Sequence, residues 1–278
     1  MSIIQAIILG LVQGITELLP ISSSAHLILI PKFFGWREHS LAFDTTLHLG
    51  TAFALLIYFR KEILEIVKSL FSDFFKERLS FKNYSQSSWL GIKILIGSIP
   101  AGIIGVLFGN VIENSFRGVT SVIVFILLGS LLMLIADVFS KSTVSDVNEV
   151  STKKSFIVGL FQSLALFSGV SRSGSTISGG MLLGLRRDVA AKVSFLLSIP
   201  IVLLAGISQG ISSFDSLSLV TPLVLFFGFI CSFLSGLVAI KFLMGFLGKN
   251  KLTVFIIYRL VLVFLYFYFL EFKKSGVF

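Results

Sequence analysis

Residues 10–27, GLVQGITELLPISSSAHL, and residues 159–176, GLFQSLALFSGVSRSGST, align without a gap at an offset of 149. Gly10 meets Gly159, Leu11 meets Leu160, Gln13 meets Gln162, Ser22 meets Ser171 and Ser24 meets Ser173. Pro20 lies opposite Gly169, and Ala25 opposite Gly174. Each stretch reads as an apolar run, a Pro or Gly break, a serine cluster and a second apolar run. Three long apolar segments follow each one. This shared order of elements favours duplication over a chance likeness between two polar loops.

Composition places both stretches in a membrane. The chain is 55% hydrophobic and 13% charged, against about 25% charged in a soluble domain. Residues 42–59, 90–112, 119–139, 189–211, 220–247 and 252–271 are each long enough to cross a hydrocarbon core of roughly 30 Å. The net charge of +9 sits in short loops, where it reports orientation rather than nucleic-acid binding. The single cysteine, Cys231, excludes an intrachain disulfide and a thiol metal cluster. The N-terminus lacks a basic start, and Gln13 and Glu17 interrupt its apolar run, so it is expected to stay in the mature protein rather than be removed as a signal peptide.

Neither serine stretch suits a straight spanning helix. Residues 3–30 carry Glu17, Pro20, three serines and His26 near their middle, and residues 155–183 carry Ser168, Gly169, Ser171, Arg172, Ser173 and Gly174. Freed backbone groups and charges at membrane depth survive only inside protein or beside a water-filled cavity. Both segments therefore read as re-entrant helix hairpins. The expected fold is an all-α polytopic integral membrane protein with two repeats, each a re-entrant hairpin plus three transmembrane helices. The first repeat spans 1–140, a linker 141–154, and the second repeat 155–278. Three crossings per half make the repeats inverted in topology. Fourteen Lys and Arg then fall on one side, against Lys32, Arg37, Arg117, Lys273 and Lys274 on the side of the N-terminus. The positive-inside rule puts both termini outside and loop 60–88, an amphipathic stretch, in the cytoplasm. The two tips then approach each other near the midplane, as in other inverted repeats with broken helices.

The tips carry chemistry. Arg172 offers a planar fork for phosphate or carboxylate, beside Gly and Ser at a helix start. Gln13 and Glu17 are four apart and share a helix face. Ser23 and His26 are three apart, which one turn would bring together. A hydroxyl, an imidazole, a carboxylate and an arginine are the parts needed to attack phosphorus. Glu17 also suits a divalent cation. The plainer readings are a structural Glu17–Arg172 pair, a satisfied core His26, and serines that only cap broken helices. His48 and Asp44, at the start of segment 42–59, stand evenly between structure and function, and His39 reads as a loop residue. Asp137, Asp188 and Glu113 are expected in water near helix ends. Arg259, Lys93 and Lys241 are expected to snorkel.

The stretches GLVQGITELLPISSSAH and SGVSRSGSTISGGMLLGL, with the less specific FDTTLHLGT, resemble the undecaprenyl-diphosphatase, or bacitracin-resistance protein, family. The resemblance covers most of the chain. It implies hydrolysis of undecaprenyl diphosphate to undecaprenyl phosphate and inorganic phosphate, which recycles the lipid carrier for cell-wall synthesis and gives bacitracin resistance. It also implies a bacterial inner-membrane location, a divalent cation (Mg or Ca) and a site opening to the outer face. Glu17, Ser23, His26 and Arg172 match the family's principal functional residues. The expected mechanism has Ser23 as nucleophile, with direct attack by water or by His26 left open, His26 as base or proton shuttle, and Glu17 either orienting these groups or binding the cation. Ser22, Ser171, Ser173 and Thr176 match its phosphate-lining positions, and Gln13 the first position of its Glu-x-x-x-Glu pattern. Here Gln13 is neutral, Ser168 stands where Pro is usual, and His48 stands where Gln is common. The rival expectation is a transporter or flippase for a phosphorylated lipid or anion, since inverted repeats with broken helices are typical of transporters.

Overall fold

The first polar break is dictated locally. In the computed structural model, which describes residues 1–37, 39–78, 80–116, 118–212 and 220–274, α1 runs Ile3–Leu18 behind a capping box of Ser2 and Gln5. It ends because Leu19 precedes Pro20. The proline ring disfavours helical backbone in the residue before it, and Leu19 is extended (φ −72°, ψ 148°). Ser22 then takes φ +71° and caps α2, Ser23–Phe33, by accepting from the Ala25 N–H.

The second break repeats this geometry at the same offset. α7 is Thr152–Ser163, followed by a 3-10 turn over Leu164–Leu166. Ser171 takes φ +76° and caps α8, Arg172–Leu182, by accepting from the Gly174 N–H. Ser22 and Ser171 are two of three positive-φ residues other than glycine among those described. Such a backbone costs on the order of 1–3 kcal/mol and persists only where its surroundings impose it.

Between and after the breaks lie α3 (Leu41–Tyr58), α4 (Arg60–Glu77), α5 (Gln86–Phe116), α6 (Val119–Phe139), α9 (Arg187–Ser212), α10 (Pro222–Leu247) and α11 (Thr253–Lys274). Five of them, α3, α5, α6, α9 and α10, are long and apolar enough to cross a membrane. α11 occupies the sixth expected span, with a described apolar portion of Thr253–Phe269. The chain is a helical, multi-pass membrane protein.

Packing is reciprocal. α1 lies along α10 and α7 along α5, while α3 meets α9 and α6 meets α11. Glycines permit close approach in the α1–α10 and α7–α5 pairs. A Cβ on Gly10 would stand 2.6 Å from the Gly228 carbonyl oxygen, and one on the matching Gly159 would stand 1.9 Å from that of Gly97. Small residues let helices meet where lipid offers no hydrophobic drive.

Several expectations change. The stretch after α3 is a helix, not a loop. α4 starts directly after Phe59, buries Ile66 and leaves Leu64, Val67, Phe71, Phe74 and Phe75 exposed. Asp73 pins it to the start of α5, accepting from the Ser88 hydroxyl and from the Ser85 hydroxyl and N–H. These bonds hold the carboxyl below its usual range. The segment 141–154 is not a free connector. Thr143 and Val144 donate to the Gly184 carbonyl, and Val144, Val147 and Val150 are buried. Asp137 is not in water. It is buried and accepts from Arg187 and Thr253, tying α6 to α9 and α11. Asp188 pairs with Arg186, and Lys93 donates to the Asn148 carbonyl at 2.9 Å. Arg117 and the side chains of Glu113, Lys273 and Lys274 lie outside the described residues.

The α1–α10 seam makes a test. A Cβ on Gly14 would fall 1.9 Å from Ser235 Oγ and 2.3 Å from the Ser232 carbonyl oxygen. Gly14→Ala should destabilise the protein by about 2 kcal/mol or more, since packed backbone cannot yield. Gly109→Ala, where a Cβ meets nothing within 4 Å, should not. Thermal unfolding in detergent compares the two.

Candidate active site

The two breaks touch each other. Ser173 Oγ donates to the Leu19 carbonyl at 3.0 Å, and the Gly169 N–H donates to Ser24 Oγ at 3.3 Å. Ser24 and Ser173 are partners at the 149-residue offset, so each tip supplies its equivalent serine to the other.

A buried arginine binds both. Arg259, on α11, is 0% exposed and all five of its N–H groups find acceptors. Nε donates to Ser130 Oγ at 2.8 Å. Nη1 donates to the carbonyls of Val170 at 2.9 Å and Pro20 at 3.5 Å. Nη2 donates to those of Ile126 at 2.7 Å and Gly169 at 2.9 Å. Pro20 belongs to the first break, Gly169 and Val170 to the second. The expectation that Arg259 snorkels is overturned. Its fork replaces the helical N–H partners that the broken helices cannot give these carbonyls.

Held in this way, the tips bring Glu17, Ser23 and Arg172 together. Arg172 Nη2 donates to Glu17 Oε1 at 2.8 Å. Ser23 Oγ donates to Glu17 Oε2 at 2.5 Å. Gln13 Nε2 donates to the same oxygen at 3.2 Å and lies 3.0 Å from His48 Nδ1. Glu17 and Arg172 side chains are 9% and 11% exposed. The second Arg172 nitrogen, Nη1, is buried without a partner. A buried donor left open in this way calls for a ligand or water.

Other expected site residues point elsewhere. His26 does not meet Ser23. Its Nδ1 donates to the Ser22 carbonyl at 2.7 Å, and its Nε2 faces the Tyr258 hydroxyl at 2.7 Å. Ser22 and Ser171 are spent on caps and on their neighbours Ser24 and Ser173. Thr176 is fully buried, bonded to the Arg172 carbonyl and to Ser194. The members that sequence reasoning placed too low are His48 and Arg259. The signal for the first was its place in FDTTLHLGT, where the family commonly has Gln, and for the second the depth of Arg259 in an apolar run.

Both oxygens of Glu17, the expected cation ligand, already accept from donors, one of them a guanidinium, and among the described residues no group of three His, Cys, Asp or Glu side chains converges. A divalent cation here would have Glu17 as its carboxylate and would draw its other oxygens from water and the substrate's phosphates.

Beside the cluster lies a cavity of about 230 Å³ whose lining includes Ser24, Lys32, His39, Asp44, His48 and Ser168. His39 Nε2 is 2.6 Å from Asp44 Oδ1 on its wall, so His39 is a paired residue. The cavity joins polar lining to the apolar Leu27, Ile28 and Leu41.

The family described as "Bacitracin resistance protein BacA" matches residues 6–265. The undecaprenyl-diphosphatase of Geotalea daltonii is 42% identical over 270 residues, covering 94% of this chain and 96% of its own. That of Caldicellulosiruptor bescii is 40% identical over 274 residues, covering 98% and 99%. That of Methanosphaera stadtmanae is 41% identical over 269 residues, covering 93% and 94%.

Arg259→Lys tests the shared tie. An ammonium has three donors where the fork has five, so it leaves buried carbonyls unpaired, at about 1–3 kcal/mol each. A clear drop in melting temperature is expected, and a wild-type value would refute the tie.

Proposed function

Because the chain belongs to the bacitracin resistance protein BacA family, we infer that it hydrolyses undecaprenyl diphosphate to undecaprenyl phosphate and inorganic phosphate, with Glu17, Ser23 and Arg172 at the breaking bond. It is a membrane phosphatase acting on a phosphoanhydride, and through it the lipid carrier of cell-wall synthesis is recycled. The observation that carries the site is the meeting of Ser23, Glu17 and Arg172 across 155 residues of sequence.

The chemistry follows from what each group offers. Phosphoryl transfer needs positioning and neutralisation of charge above all. Arg172 Nη1, free of protein partners, takes a phosphate oxygen while Nη2 stays on Glu17. Ser23 Oγ attacks the terminal phosphorus, and its proton passes to Glu17 Oε2, the atom it already donates to. The anhydride bond breaks and undecaprenyl phosphate leaves, taking that proton from Glu17. Water then gives a proton to the freed carboxylate and attacks the phosphorus, the bond from phosphorus to Ser23 Oγ breaks, Glu17 returns the proton to Ser23 Oγ, and inorganic phosphate departs. Glu17 takes the role of base first given to His26. His26 positions the first tip through Ser22 and Tyr258. The polar cavity beside His48 receives the head group, and the polyprenyl tail lies among apolar helix faces.

We read the chain as two inverted repeats, 1–140 and 155–278, with re-entrant hairpins at 3–30 and 155–183. Support comes from the paired positive-φ serine caps, the reciprocal tip contacts and the reciprocal α1–α10 and α7–α5 packing. With the loop charges, this reading has both termini outside and α4 inside, and membership of the family favours the bacterial inner membrane as the location.

Purified protein should release phosphate from undecaprenyl diphosphate. Arg172→Ala, Glu17→Gln and Ser23→Ala should each lose about 10²–10³-fold or more in kcat. Full activity in all three would refute the site, and Ser23→Ala alone near wild type would assign the attack to water. A cysteine at Lys76 should resist impermeant labelling from outside intact cells, and ready labelling would overturn the orientation.

A further inference from the structure

The cluster around Glu17 has one member that faces open space. His48 sits on α3, one turn after Asp44, and its side chain is 34% exposed. It lines the 230 Å³ cavity, whereas Glu17 and Arg172 are almost closed off. We propose that His48 is a substrate-binding residue, its Nε2–H donating to a phosphate oxygen of the bound diphosphate in a tautomer fixed by Gln13.

The tautomer follows from Gln13. That side chain is fully buried, with Nε2 3.2 Å from Glu17 Oε2 and 3.0 Å from His48 Nδ1. A carboxylate oxygen only accepts, so the amide must turn its nitrogen, not its oxygen, toward Glu17. The reversed amide would set two acceptors against each other. The second hydrogen of the same nitrogen is then left for His48 Nδ1, which accepts it. A neutral imidazole that accepts at Nδ1 carries its proton at Nε2. Gln13 holds this orientation at a cost, because its Oε1 is buried with no partner.

The far edge of the ring is thereby a donor without a protein acceptor among the described hydrogen bonds. A second open donor, Arg172 Nη1, belongs to the guanidinium whose Nη2 pairs with Glu17 Oε1, while His48 is linked to Oε2 through Gln13. Two open donors tied to the two oxygens of a carboxylate that holds the attacking hydroxyl suit a phosphoryl group, which brings several acceptor oxygens. The charged groups nearby are Glu17 on α1, Lys32 on α2, Asp44 on α3 with its partner His39, and Arg172 on α8. This inference rests on the diphosphatase reading of the same site.

Kinetics of variants provide the test. His48→Leu removes both ring functions and should raise KM about tenfold or more while kcat changes little, the sign of lost uniform binding. Gln13→Leu should raise KM too, and the double variant should lose less than the sum, because one group acts through the other. His48→Gln should recover most of the lost affinity. Its amide carbonyl accepts from Gln13 and its NH₂ donates into the cavity. A wild-type KM in His48→Leu, or a His48→Gln variant no better than His48→Leu, overturns the proposal. ¹⁵N-histidine NMR of the wild type is independent of how the variants fold. His48 Nε2 should be protonated and should shift when inorganic diphosphate is added, and a bare Nε2 or an unmoved signal also overturns the proposal. Absence of phosphate release from the wild type would instead defeat the diphosphatase reading, since the NMR result does not depend on turnover.

Discussion

A carbonyl freed by a broken helix has no water to turn to in hydrocarbon, and most of the architecture follows from meeting that demand. Two breaks free two sets of carbonyls, and one guanidinium answers both. Arg259 reaches Pro20 in the first break and Gly169 and Val170 in the second, with Ile126 and Ser130 of α6 completing its five bonds. It has no carboxylate partner among these bonds. Its charge is balanced by five oxygen dipoles, which is how a buried cation becomes tolerable without an ion pair. The tips cannot separate without stranding either the cation or the carbonyls.

That constraint sets the chemistry. Serine caps with strained positive φ hold the starts of α2 and α8, and the tips exchange hydrogen bonds through Ser24 and Ser173. Ser23, the first residue of α2, and Arg172, the first of α8, are then aimed at one carboxylate. Glu17 stands one residue before the end of α1 and receives both. The proposed chemistry needs a fixed anion clamp and an attacking oxygen next to a base, and the same backbone breaks that hold Arg172, Ser23 and Glu17 together would supply that rigidity.

Glycine close approaches complete the frame. α1 rests on α10 and α7 on α5, each at a glycine where no side chain fits. Each hairpin is thus braced by a span from the other half of the sequence. Neither half completes the site alone, because Glu17, Ser23 and Gln13 come from one and Arg172 and Arg259 from the other.

Apolar runs of 18 or more residues can only be spanning helices, and Pro20, Gly169 and the serines can only interrupt them, so the helix pattern and both breaks were legible along the chain. So was the company of Glu17 and Arg172, one charge of each sign on the two breaks. Side-chain direction was not legible. Ser23 and His26 are three apart, yet one turns to Glu17 while the other bonds back to the Ser22 carbonyl and across to Tyr258. Arg259 looked like a snorkelling cation because a lone arginine in an apolar run carries no mark of what packs against it. His48 looked like an interfacial residue until Gln13 was seen to hold one edge of its ring and a cavity to open at the other. Periodicity and burial cost act along one chain and leave their record in it. The partners of a buried donor are chosen by helices distant in sequence, and only their packing decides them.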